Sequence, residues 1–133
     1  MNVIVCVDNS FGMLFNNRRV SRDKILVEKV KELTKESDLW INEFSKSLFD
    51  SEVIIDNDML DKALLGNYCF VENLHLASYL DRIEKIYLLK WNRDYPSDFY
   101  FDINLENDFK ICNTDEFVGN SHDKITMEEW ERK

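Results

Sequence analysis

The feature that most constrains the fold of this chain is a nearly continuous apolar run close to its start. Residues 2–7 read Asn-Val-Ile-Val-Cys-Val, with no alternation between polar and apolar side chains. Such a run is typical of a strand that is covered on both faces, as strands of parallel sheets are. The residues Asp8 to Gly12 then supply turn chemistry. The run therefore predicts a buried strand in an α/β protein.

The rest of the chain alternates strand-like and helix-like segments, which also favours an α/β fold. A helix from Arg22 to about Thr34 is predicted, with Ser21 as its N-cap. Further strands are predicted at Leu39–Ile41, Glu52–Ile55, Tyr68–Val71 and Lys85–Trp91, and further helices at Glu43–Phe49, at Met59–Leu65 after the cap Asp58, and around Leu74–Leu80. Phe109–Cys112 and Lys124–Trp130, joined through Gly119 and Asn120, predict an antiparallel hairpin. We expect a mixed, mainly parallel sheet with helices on both faces and this C-terminal hairpin.

The length and composition indicate one packed domain over residues 1–133. Apolar residues make up 44% of the chain, which has three glycines and one proline. No stretch has the roughly 20 apolar residues that span a bilayer, and the start of the chain reads as a core strand rather than a signal peptide. Cys6, Cys69 and Cys112 are odd in number and lie in apolar runs, which favours reduced, buried thiols in a cytoplasm over disulfides.

The net charge of −9 is unevenly distributed. Residues 1–35 carry seven lysines and arginines against four acids, whereas residues 36–133 carry ten against twenty-two. An acidic body of this kind repels nucleic acid and anionic membranes, so we expect neither as a partner. The first interpretation of this acidic charge is that it keeps the protein soluble. The alternative is an acidic face that docks on a basic protein partner.

The two ends of the chain carry a series of short motifs whose order and spacing are informative. The beginning has Val7-Asp8, then Gly12-Met13, a loop from Leu14 to Ser21, and an acid, Asp23, at a helix start. The end has Ile86-Tyr87-Leu88, then Asp94, Asp98 and Phe101-Asp102, then Ser121-His122 and Glu129-Trp-Glu-Arg132. In order and spacing these motifs resemble the first and last thirds of a dihydrofolate reductase. The resemblance implies a dihydrofolate reductase-like fold over about two-thirds of the chain. It also implies that Asp23 is the catalytic acid, which in this family hydrogen-bonds the pterin and helps to protonate the substrate.

The middle of the chain departs from the same family. Its reductases place two glycines after a buried strand, where NADPH phosphates approach bare backbone amides. The matching segment here, Cys69–Leu74, has neither glycine and puts Glu72 where a pyrophosphate would lie. The family's basic helix start corresponds to Ile41–Ser45, which carries an acid instead, and Phe49–Glu52 is too short for the loop that grips the folate tail. We therefore expect no cofactor.

Other chemistry has little support in the sequence. The two histidines, His75 and His122, have no cysteine or acid cluster around them at the spacing of metal ligands, so we expect no metal. The chain has no Gly-x-Ser-x-Gly elbow and no Walker loop. The acids Glu128, Glu129 and Glu131 alternate across the faces of a terminal strand, which favours solvated side chains over a catalytic pair.

Asp23 and the basic residues around it each have two interpretations. Asp23 is either the catalytic acid or a carboxylate that stabilises the positive end of a helix, and the second is more common. The basic loop Arg18, Arg19, Arg22 and Lys24 is either an exposed loop that balances the acidic body or a contact for an anion or partner.

Two functions remain open. The first is a noncatalytic, dihydrofolate reductase-like module, a pseudoenzyme of a bacterial or phage cytoplasm. It would bind a small ligand in a remnant pocket near Val7, Phe15 and Asp23, or a protein partner through its acidic surface. The second is a minimal reductase that uses NADPH and a dihydrofolate-like pterin, with Asp23 as proton donor. The shortened middle could also expose a sheet edge that forms a homodimer.

Overall fold

The first strand, β1 (Asn2–Val7), lies at the centre of the main sheet in the computed structural model, which describes residues 1–50 and 52–133. Its parallel neighbours are β6 (Tyr68–Phe70) on one side and β7 (Lys85–Lys90) on the other. Successive side chains of β1 enter apolar clusters on opposite faces, Val3 and Val5 on one and Ile4 on the other. The apolar run is continuous because both faces of the strand are buried.

Four further strands belong to the main sheet, namely β4 (Leu39–Ile41), β5 (Ile54–Ile55), β9 (Phe109–Phe117) and β10 (Ile125–Arg132). The order of its seven strands is β5-β4-β6-β1-β7-β10-β9. β10 runs antiparallel to both β7 and β9, whereas the other neighbouring strands are parallel. The predicted mixed, mainly parallel sheet with a C-terminal antiparallel hairpin is therefore confirmed.

Helices cover both faces of this sheet. The longest, α1 (Lys24–Leu33), buries Leu26 and Val30 against the face that contains Ile4. The short helices α2 (Met59–Lys62) and α3 (Leu105–Asp108) cover the opposite face. Two 3₁₀ helices, Glu43–Leu48 and Ala77–Arg82, complete the connections.

A second, three-stranded sheet lies beside β1 and consists of β2 (Gly12–Phe15), β3 (Arg18–Arg19) and β8 (Phe99–Tyr100). The segment predicted as a basic loop, Phe15 to Val20, is thus largely a hairpin. Asn16 and Asn17 form its turn with φ angles of 50° and 61°. Asparagine tolerates this left-handed backbone better than most residues, and two-residue hairpin turns require it.

Several predicted element bounds are wrong. The N-cap of α1 is Asp23 and not Ser21, so the helix begins at Lys24. Asp58 makes no side-chain capping bond, and α2 ends at Lys62. The segments predicted as helices at 43–49 and near Leu80 are 3₁₀ helices. β9 continues beyond Cys112 to Phe117 because β10 pairs with it over that whole length.

The thiols are unpaired but not uniformly buried. Cys69 is buried, and burial raises its pKa to about 12. Cys6 is partly buried, and Cys112 is exposed, contrary to prediction. Cys112 lies on the outermost strand of the sheet, β9, where residues 110–116 are all exposed because no described segment covers that part of the strand. Ser51, in the short segment Phe49–Glu52, lies outside the described residues.

Candidate functional site

The carboxyl ends of β4 and β6 are neighbours, and the segments that follow them are joined by side chains. The amide Nδ2 of Asn42 donates to Oδ1 of Asn73 over 2.7 Å. Ser45 Oγ donates to Oε1 of Glu72 over 2.7 Å. These are the two segments whose counterparts hold the cofactor in the family that the sequence resembles. Ligands of open α/β sheets bind at such carboxyl ends, so the topology gives this position functional interest.

The space at this position is occupied by an ion pair between Glu72 and Arg19. Arg19 Nε lies 2.8 Å from Oε2 of Glu72, and its Nη2 lies 3.1 Å from Oε1. The same Nη2 donates to the carbonyl of Phe44, and the guanidinium lies over the Phe44 ring at 5.1 Å. Glu72 is only 7% exposed. A buried carboxylate is stable when it is paired and hydrogen-bonded in this way.

The predicted basic loop residues, Arg18, Arg19, Arg22 and Lys24, do not form one continuous surface. Arg19 turns inward to Glu72, while Arg18, its neighbour in β3, is exposed. Arg22 and Lys24 lie at a separate place, on the rim of a cleft of about 530 Å³ beside α1. Lys31, on the same cleft, is paired with Asp50 over 2.9 Å.

Asp23 lies on the wall of this cleft, and its carboxylate is fully engaged. As the N-cap of α1 it accepts from the amides of Ile25 and Leu26 at 2.9 and 3.3 Å. It also accepts from the turn before β10, through the amides of Asn120 and Ser121 at 2.9 Å each and through Nδ1 of His122 at 2.8 Å. Asp23 is 3% exposed.

Two opposing effects act on the ionisation of this carboxyl group. Burial alone would raise its pKa. The hydrogen bonds from Asn120, Ser121, His122 and Leu26 outweigh burial and hold the pKa of Asp23 well below its usual range. Asp23 is therefore a stable carboxylate whose oxygens are already used by the protein.

The three residues expected in a remnant pocket do not line the cleft together. Val7 is completely buried in the core, and Phe15 is 42% exposed at the end of β2. Of the three, Asp23 alone lines the cleft, whose apolar wall comes instead from Val27, Leu48 and Phe49. The described residues contain no group of three or more histidines, cysteines or acids placed to hold a metal ion, and no described helix is long and apolar enough to cross a membrane.

Sequence reasoning missed the residues that surround Asp23 from distant parts of the chain. His122 is 4% exposed, and its Nε2 lies 2.9 Å from Ser21 Oγ and 3.1 Å from the hydroxyl of Tyr95. Trp91 stacks on the imidazole with ring centres 4.6 Å apart. The one available signal was the turn-forming pair Gly119-Asn120 directly before Ser121-His122.

A further buried acid, Asp8, organises the turn between β1 and β2. Its Oδ1 accepts from the amides of Ser10 and Gly12 at 2.9 and 2.7 Å, and its Oδ2 accepts from the amide of Tyr95 at 3.0 Å. Asp8 thus joins this turn to the backbone of Tyr95, whose hydroxyl contacts His122.

Comparison with known proteins finds similarity in structure but not in sequence. No protein-family model and no curated protein matches the sequence. Among solved structures, the chain is similar to dihydrofolate reductase from Enterococcus faecalis complexed with NADP(H) and RAB-propyl, with a TM-score of 0.71 and 10% sequence identity. The match covers 99% of this chain and 95% of that one. At this identity the likeness concerns the fold alone. The chain therefore has a dihydrofolate reductase-like fold, as the resemblance of its two ends predicted.

Proposed function

We propose that this chain is a dihydrofolate reductase-like binding module without reductase activity, acting in a bacterial or phage cytoplasm. The single observation that carries the proposal is the buried ion pair between Arg19 and Glu72. It fills the carboxyl ends of β4 and β6 with the chain's own side chains, at the position where the resemblance would put cofactor phosphates. A pyrophosphate there would meet the carboxylate of Glu72 and would have to compete for Arg19.

The arrangement of Asp23 supports the same proposal. A proton donor for a pterin needs a carboxyl group that can reach the substrate and take up a proton near the working pH. The oxygens of Asp23 are occupied by the amides of α1 and of the turn at Asn120, and its low pKa keeps it ionised. The helix-capping interpretation therefore accounts for Asp23 better than the catalytic one does.

The cleft beside α1 is the place where we expect a small ligand. Its volume, about 530 Å³, is in the range of small-molecule sites. Val27, Leu48 and Phe49 offer apolar surface, and Arg22 and Lys24 offer positive charge beside the acid Glu28, while Lys31 and Asp50 pair with each other. This combination fits an apolar molecule with an anionic group, such as an aromatic carboxylate. A basic protein partner at the acidic surface and pairing of two copies stay predictions.

A thermal-shift titration with NADPH and, separately, dihydrofolate tests the loss of reductase function. We expect no change in Tm with either compound at millimolar concentration. A Kd of 10 μM would add about 2.7 kcal/mol at 1 mM ligand, because a ligand that binds only the native state stabilises it by RT ln(1 + [L]/Kd). A dose-dependent rise with NADPH would instead favour the minimal reductase, and Asp23→Asn should then abolish turnover.

Amide chemical shifts test the binding half of the proposal, with benzoate as the probe. Benzoate should shift the resonances of Val27 and Leu48 in a saturable way, and Arg22→Glu with Lys24→Glu should weaken that binding about tenfold through charge reversal. Arg18→Glu is the matched control, because Arg18 is exposed and lies on the hairpin rather than on the cleft. Shifts that are absent, or equal in all three proteins, would count against the cleft.

A further inference from the structure

Three side chains around the start of α1 form a hydrogen-bonded series. Nδ1 of His122 lies 2.8 Å from Oδ2 of Asp23, and Nε2 of the same ring lies 2.9 Å from Oγ of Ser21. A carboxylate can only accept, so in the neutral imidazole the proton sits on Nδ1 and Nε2 is left to accept from the Ser21 hydroxyl. This is the order of contacts by which a histidine activates a serine nucleophile.

The burial of the three residues follows the same order. Asp23 and His122 are 3% and 4% exposed, whereas Ser21 is partly exposed. The acid is fixed by the amides of Asn120 and Ser121, and the imidazole is held by the stacked ring of Trp91. The carboxylate and the base are thus buried and held in place, and Ser21 is the most exposed of the three, as a nucleophilic site requires.

We propose that Ser21 is the nucleophile of an acyl-transfer site, with His122 as its general base, Asp23 as the orienting carboxylate, and a small carboxylic ester as the substrate class. Arg22 and Ser121, which adjoin Ser21 and His122 in sequence, line the cleft beside α1. This inference goes beyond the binding role proposed above and does not depend on whether the cleft binds benzoate.

The reaction balances with water as the only co-reactant. Ser21 Oγ attacks the ester carbonyl carbon while its proton passes to Nε2 of His122, and Asp23 stabilises the resulting imidazolium. The tetrahedral intermediate then expels the alcohol oxygen, which takes that proton from Nε2. Water attacks the acyl-Ser21 ester by the same route, gives its proton to Nε2, and leaves the carboxylic acid with the Ser21 hydroxyl restored.

Tyr95 has a positioning part in this site. Its hydroxyl lies 3.2 Å from Ser21 Oγ and 3.1 Å from Nε2 of His122, so it can donate to Oγ before the attack. Once Oγ has bonded to carbon, the same hydroxyl can donate to the negative charge that develops on the carbonyl oxygen.

The test is covalent labelling of the whole chain with a fluorophosphonate probe, followed by intact mass and peptide mapping. Ser21 Oγ should displace fluoride and give one adduct per chain, mapped to Ser21. Ser21→Ala should lose the adduct, and His122→Gln should form it about 100-fold more slowly, as removal of a general base predicts. Ser78→Ala is the matched control, since Ser78 is exposed on the 3₁₀ helix Ala77–Arg82, and it should label like the unchanged chain.

Circular dichroism of Ser21→Ala separates lost reactivity from lost folding. We expect this variant to fold, because the change removes one hydroxyl and no apolar packing. If His122→Gln fails to fold, Tyr95→Phe supplies the second variant, and it should label about tenfold more slowly. No adduct on the unchanged chain, or equal labelling of a folded Ser21→Ala variant, would overturn the proposal and leave the cluster as a structural clamp.

Discussion

Asp23 connects two segments that are almost a hundred positions apart in the chain. It caps α1 through Ile25 and Leu26 and holds the turn at Asn120 and Ser121. Hydrogen bonds to a buried carboxylate are among the stronger ones in proteins, and each donor would lose its partner if the carboxylate were removed. The charge state of this one residue should therefore set part of the stability of the whole chain.

We predict that the cost of Asp23→Asn depends on pH. At pH 7 the change should lower the free energy of unfolding by about 2 to 3 kcal/mol, because an amide cannot accept all of these donors. The pKa of Asp23 is lower in the folded chain than in the unfolded one. The stabilisation is therefore full above about pH 3.9, the usual pKa of aspartate, and declines as the pH falls below it.

Urea unfolding at pH 7 and at pH 3 measures this effect. The gap between the unchanged chain and Asp23→Asn should be smaller at pH 3. Asp123→Asn, an exposed change one residue beyond His122, should alter stability by less than about 0.5 kcal/mol at both pH values. A gap that stays the same at both would show that the charge of Asp23 does not contribute.

Among the elements, the connection between β9 and β10 shows what local sequence can and cannot determine. Gly119-Asn120 correctly indicated a turn there, because both residues favour turns. Ser21 and Asp23 are both good N-cap residues, and nothing local decides between them. The amides of Asn120 and Ser121 decide it by binding Asp23, and that contact depends on tertiary structure.

The same limit applies to the candidate site. The strand pattern and the resemblance together indicated the candidate site, at the segments that follow β4 and β6. They also indicated that the acid Glu72 lies in this site. Its partner, Arg19, was expected in an exposed loop, because the sequence does not reveal which arginine of a pair turns inward. His122 and Tyr95 were missed for the same reason, since they meet Ser21 only in the folded chain.

We predict that Gly119→Ala disturbs this connection. A Cβ atom at Gly119 would lie 2.5 Å from Oδ2 of Asp23, closer than real contacts allow. The turn or the carboxylate must shift, and we expect a loss of about 1 to 3 kcal/mol in the free energy of unfolding. Val118→Ala is the control, because Val118 is 72% exposed. Equal midpoints of urea unfolding for the two variants would mean that the turn does not pack on Asp23.

At the scale of the whole molecule, the sheet separates two apolar clusters, and β1 contributes to both. The predicted α/β class depended on the burial of both faces of β1, because a strand with one solvent-exposed face would show polar residues at alternate positions. The short middle elements were harder to predict. β5 has two residues and α2 has four, so neither contains a full period of the pattern that identifies it.

We predict that neighbouring substitutions in β1 cost similar amounts. Ile4 and Val5 are both completely buried, on opposite faces of the sheet. Ile4→Ala and Val5→Ala should each lower the free energy of unfolding by about 2 kcal/mol or more, through lost apolar contact and the cavity left behind. Ile54→Ala, on the edge strand β5 and 36% exposed, should cost clearly less. Chemical denaturation of the three variants decides whether both faces are covered.

The ion pair between Arg19 and Glu72 has a consequence for anything that approaches the carboxyl ends of β4 and β6 from solution. Glu72 belongs to the same molecule as Arg19, so its effective concentration is fixed by the fold and does not fall when the protein is diluted. A free anion must outcompete this tethered carboxylate at every protein concentration. The chain thus behaves as a complex whose ligand is covalently attached, and dilution does not release that ligand.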